Sequence, residues 1–112
     1  MIRFKPDVRI HELTDQLVAI VRACAAWSGR SNVAVEFNSI DDGAAVHGAE
    51  TLHGFSLAVD VDTVGDKPED LDQLDRFLRR RLPIEFDVVF EGDHVHVEWD
   101  THRPARRPGR ST

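Results

Sequence analysis

The fold turns on the stretch Ile84-Glu85-Phe86-Asp87-Val88-Val89-Phe90-Glu91-Gly92-Asp93-His94-Val95-His96-Val97-Glu98-Trp99. Two runs rich in β-formers, 84–91 and 94–99, flank Gly92-Asp93, and a two-residue connection with glycine first suits a type II′ hairpin turn. Side chains alternate across a strand, so Val95, Val97 and Trp99 share one side while His94, His96 and Glu98 share the other. The hairpin thus has one face to bury and one to leave in water.

Working back along the chain, Ser56 to Asp62 alternates in the same way. Leu57, Val59 and Val61 point to one side; Ser56, Ala58, Asp60 and Asp62 point to the other. Gly65-Asp66-Lys67-Pro68 breaks that strand. A helix follows with Leu71, Leu74, Leu78 and Leu82 on one stripe. Its acids come early (Glu69, Asp70, Asp72) and its bases late (Arg76, Arg79, Arg80, Arg81), which matches the helix dipole and reads as a solvated helix end. Upstream, residues 33–38 read as a short strand, and Asn38 to Leu52, with no period and with Asp41, Asp42, Gly43, His47 and Gly48, as a long loop. Thr14 is a natural N-cap for a helix in which Leu17, Val18, Val21, Cys24 and Ala25 recur at helical spacing, with Gly29 as its stop. The order helix, strand, loop, strand, helix, hairpin implies an α+β fold: an antiparallel β-sheet with two helices packed on one face.

A length of 112 residues is that of one domain, here read as 1–100 followed by a basic, flexible tail at 101–112. The net charge of -6 is uneven. Arg103, Arg106, Arg107 and Arg110 fall in the last twelve residues with no acid, leaving 10 basic against 20 acidic residues in the first hundred. An acidic body does not track phosphates, so nucleic acid is the least favoured partner, and the tail reads first as a solvated arm, with docking on a virion or other protein partner as the alternative. The one cysteine, Cys24, lies in an apolar run and reads as a small buried hydrophobe. No segment reaches the length of a membrane span, and the start carries no apolar signal core. The expected location is cytoplasmic synthesis, with virion association or release at lysis.

Two clusters could carry chemistry: His53-Gly54-Phe55-Ser56-Leu57-Ala58-Val59-Asp60, preceded by His47, and Asp93-His94-Val95-His96. If the strand at 56–62 and the terminal hairpin are sheet neighbours, His53, Asp60 and His96 converge. Two imidazoles and a carboxylate are the ligand set of an open zinc (Zn2+) site with a position left for water. Zinc lowers the pKa of such water to around 7, and a nearby carboxylate, Asp93 here, takes its proton as it attacks a carbonyl. Taken alone, His-Val-His-Val-Glu-Trp is an amphipathic strand with a wet face and His53 a loop histidine; the weight rests on their combination.

At these residues the chain resembles the D-alanyl-D-alanine carboxypeptidase and dipeptidase group of zinc peptidases, which share a fold with the hedgehog signalling domain and include bacteriophage endolysins. The resemblance runs over about residues 2 to 100, from Arg3-Phe4-Lys5-Pro6 through Thr14, Gly43 with His47, and Thr51-Leu52-His53, to the segment Phe86 to Glu98, its most specific part. It implies a hedgehog/DD-peptidase-like fold, His53, Asp60 and His96 as zinc ligands, and Asp93 as the catalytic carboxylate. His94 is implied as an auxiliary group near the developing oxyanion, and His47 and Thr51 as substrate contacts. The implied reaction is hydrolysis of a peptide bond in bacterial cell-wall (peptidoglycan) peptides. Ser56 stands where the family has glycine, and Ser56-Leu57-Ala58 replaces a common Gly-Arg-Ala, a change that can reshape the cleft. The alternative is therefore a non-catalytic structural or virion adaptor protein that keeps the same metal-binding fold.

Overall fold

In the computed structural model, which describes residues 1–11, 13–42 and 56–100, the terminal hairpin pairs as expected. Its strands, here β4 (Asp87–Phe90) and β5 (Val95–Asp100), are antiparallel with Phe90 opposite Val95. Gly92 takes a φ of 97°, which accommodates the tight turn and which an L side chain adopts only with strain. The first run is shorter than its β-rich composition suggests. Pro83 closes a turn in which its carbonyl accepts from the Phe86 amide, so the ladder starts only at Asp87.

Five strands form one sheet in the order β1-β2-β3-β5-β4, the others being β1 (Ile2–Phe4), β2 (Val35–Asp42) and β3 (Ser56–Thr63). The antiparallel sheet expected from the sequence is in fact mixed: β2, β3, β5 and β4 pair antiparallel, but β1 runs parallel to β2. The cause is the connection. Helix α1 (Asp15–Ser31) carries the chain from β1 back to the start of β2, the crossover that parallel neighbours require.

Thr14 caps α1 as its side chain predicts, its Oγ1 accepting from the Leu17 amide at 3.2 Å. Gly29, however, does not end the helix. The chain continues to Ser31, and Asn32 adopts the left-handed conformation (φ 61°) with its amide bonded to the Ser28 carbonyl. The buried stripe is Leu17, Ile20, Ala23, Cys24 and Trp27, so the core face is rotated from the one expected and Ala25 is exposed. Helix α2 (Pro68–Arg81) buries Leu71, Leu74, Phe77 and Leu78 as its spacing requires. Its one buried acid, Asp75, accepts from Arg79 Nε at 3.1 Å.

Both helices pack on the same side of the sheet and touch each other. Beneath them Val35, Phe37, Leu57, Val59, Val61, Val88, Val95 and Val97 are buried, alternate positions of β2, β3, β4 and β5. Full burial of such a side chain contributes roughly 1.5–3 kcal/mol, so this alternation anchors the register of those four strands. The opposite face of the sheet has no helix on it among the described residues, and it carries the polar half of each strand.

Strand β2 extends to Asp42, past the point where the sequence pattern fades at Asn38. A bulge explains the fading: Phe37 pairs with Val61 but Ser39 with Asp60, so Asn38 is an extra residue and the period slips by one.

Candidate metal and catalytic site

Strands β3 and β5 are neighbours, as the convergence argument required, and Asp60 sits directly opposite His96. Both side chains rise from the polar face, because Val59, Val61, Val95 and Val97 occupy the buried one. Their heads meet: His96 Nδ1 lies 2.7 Å from Asp60 Oδ1. The other ring nitrogen, Nε2, lies 2.9 Å from Glu98 Oε1, two residues along the same strand face. An imidazole hydrogen-bonded through both nitrogens to carboxylates donates twice, which only the imidazolium can do. Partial burial pulls the His96 pKa down, but the bonds to Asp60 and Glu98 and the charges of both outweigh it, and the net direction is up.

Asp60 is the hub of this face. Ser39, across the β2 pairing, donates its hydroxyl to Asp60 Oδ2 at 3.2 Å, and His94 Nε2 stands 3.8 Å from Oδ1. At the hairpin turn His94 Nδ1 donates to Asp93 Oδ1 at 2.6 Å. That bond and the nearby imidazole charge hold the Asp93 carboxyl below the usual carboxylate range, although its side chain is 90% exposed. Asp93, His94, Asp60, His96 and Glu98 therefore form an alternating acid–imidazole row across two strands and a turn.

The structure thus brings together four of the expected residues, Asp60, His96, His94 and Asp93. The other three, His53, His47 and Thr51, lie outside the described residues, as does the tail Thr101–Thr112. Among the described residues no group of three or more His, Cys, Asp or Glu side chains is poised to hold a metal ion. The donor chemistry of the pair that is described does fit one: an imidazole and a carboxylate, already convergent, are the mixed nitrogen and oxygen set that zinc accepts. Glu36 and Asp62 add negative charge to the same face, where Glu36 pairs with Arg3 at 3.4 Å, and such a face concentrates cations. Burial, offset in part by a hydrogen bond to Asn38 and reinforced by Glu36, raises the Asp62 carboxyl pKa.

Sequence reasoning missed two members. Glu98 shares the His96 strand face by simple alternation and could have been paired with it from spacing alone. Ser39 could not, because the bulge at Asn38 hides its facing. Cys24, by contrast, has no place in this site. It sits on the buried stripe of α1, and desolvation raises its thiol pKa to about 12.

No helix among the described residues is long and apolar enough to cross a membrane. A scan against protein-family models finds no match, and searches of curated proteins and of solved structures find no similar protein.

Proposed function

We propose that this chain is a zinc-dependent peptidase that hydrolyses a peptide bond in bacterial cell-wall peptides. The observation that carries the reading is the meeting of Asp60 and His96 at 2.7 Å on the polar sheet face, one hairpin turn from the Asp93–His94 pair. His53, Asp60 and His96 are the residues assigned to hold the metal. When bound there, zinc supplies Lewis acidity toward a carbonyl and lowers the pKa of water. Asp93 stays ionised at neutral pH, the state in which its carboxylate accepts a proton, and its exposure leaves it accessible to substrate. His94, oriented by its bond to Asp93, turns Nε2 toward the same space, and only as an imidazolium does that nitrogen donate toward developing negative charge. Ser39 and Glu98 orient Asp60 and His96 in the manner of hydrogen-bonded partners behind metal ligands. The choice of cell-wall peptides as substrate rests on the resemblance of the 86–98 segment and of His53 to Asp60.

One observation favours a second reading, a non-catalytic structural or adaptor protein. His96 commits both ring nitrogens to Asp60 and Glu98, a pairing that equally serves a purely structural ion cluster. The two readings separate cleanly. Protein purified without chelator is expected to hold about one zinc per chain, to lose it in His96→Ala, and to cleave muropeptides. Asp93→Ala is expected to retain the metal and lose at least about a hundredfold in hydrolysis, the scale of a missing general base. Wild-type protein free of metal and inert toward muropeptides would overturn the peptidase reading.

A further inference from the structure

The helix layer, on the side of the molecule away from the acid–imidazole row, carries a second constellation. The last turn of α1 and the second half of α2 enclose a cleft of about 330 Å³ whose lining includes Trp27 and Arg30 from α1 and Arg76, Phe77 and Arg80 from α2. Residues 76, 77 and 80 share one face of α2 by their spacing, as 27 and 30 do on α1. The two rings form the floor and are nearly covered, at 5% and 7% exposure, whereas Arg30, Arg76 and Arg80 are exposed. Arg30 and Arg81 both hold their guanidinium groups near the Phe77 ring, at 5.7 and 5.9 Å from its centre.

The charge here exceeds what the helices need. Each helix C-terminus presents about half a negative charge. Asp72, paired with Arg76 at 3.0 Å, supplies one more. Three guanidinium groups on the lining, with Arg81 beside the Phe77 ring as a fourth that borders the neighbouring cleft, leave against these a surplus of about two positive charges in a chain whose net charge is -6. Arg30 and Arg80 have no carboxylate partner among the described residues. The Asp72–Arg76 pair is exposed and therefore cheap to rearrange.

We infer that this cleft is a binding site for a small phosphomonoester. Such a group bears roughly -1.5 to -2 charges at pH 7 and matches both the surplus and the bidentate geometry of guanidinium. Nucleic acid fits less well. The covered rings offer no stacking platform, and the acidic body repels a polymer that runs beyond the cleft. This site is independent of the hydrolase reading.

The test is a titration of the full chain with glucose 6-phosphate at low salt, followed by the indole N–H of Trp27 and the amides of 27–31 and 73–81 in NMR spectra. Glucose, sulfate and an unphosphorylated-end thymidine oligonucleotide serve as comparisons. Saturable shifts confined to these residues are expected, with binding that weakens below about pH 6 as the phosphate takes up its second proton. Arg80→Gln and the double change Arg30→Gln with Arg80→Gln should each weaken binding by about tenfold or more. Their unfolding transitions should stay cooperative, since both arginines are exposed. Absence of saturable binding, equal response to sulfate across that pH range, unchanged affinity in both variants, or tighter binding of the oligonucleotide would each overturn the assignment.

Discussion

His96 and Cys24 show how one residue's surroundings set its chemistry. His96 has a folded pKa above its ordinary value of 6.5, the pull of burial being outweighed by its bonds to Asp60 and Glu98. A raised value means the folded state holds the proton more tightly than the unfolded chain. Its stabilisation is therefore complete below 6.5 and is lost as pH rises through the folded value. Urea midpoints of metal-free protein should accordingly fall across that window, and His96→Gln should flatten the fall; a wild-type curve already flat there would contradict the Asp60–His96–Glu98 cluster. Because a metal ligand must shed the same proton, metal uptake and this stabilisation compete. Cys24 behaves oppositely. With its thiol buried and its pKa pushed to about 12, it should resist a disulfide reagent in native buffer and react fully in denaturant. Rapid labelling of native protein would show that α1 lifts from the sheet.

At the scale of elements, helix α2 rests on more than its leucine stripe. Asp75 is completely buried and meets Arg79 through Nε at 3.1 and 3.3 Å. Burial lowers the Arg79 pKa and the Asp87 charge opposes that. Asp75→Ala removes a hydrogen-bonded partner of a largely covered cation and should cost about 3 kcal/mol in chemical denaturation; a loss under about 1 kcal/mol would mean that Asp87 compensates fully. The elements themselves were largely legible. Alternation at 56–62 and 94–99 and the Leu71, Leu74, Leu78 stripe announced β3, β5 and α2, because in each the burial period is unbroken. The failures share a different cause. Strand β1 has three residues, too few to show a period, so neither it nor the parallel pairing could be read. The Asn38 bulge interrupts the period of β2, and Asn32, accepting a left-handed backbone, displaced the helix end from Gly29. For the site, strand alternation made the facing of Asp60, His94 and His96 legible, whereas their closeness depended on which strands are neighbours.

For the whole molecule, the division of labour runs between two surfaces. The sheet turns its hydrophobic half toward both helices and its charged half, with the acid–imidazole row, away from them, while the arginine cleft lies between the two helices. The sheet order places β3 in the middle, bonded to β2 on one side and β5 on the other, with the three-residue β1 and four-residue β4 at the margins. Backbone amides of β3 should thus be the slowest to exchange with deuterium, those of β1 and β4 among the fastest, and comparable rates throughout would contradict the strand order. The Asp60–His96 pairing joins this central strand to β5, so fraying of the margins leaves it standing. Its geometry should vanish only when the molecule comes apart as a unit, and partial openings that expose the margins to proteases would leave the pairing intact.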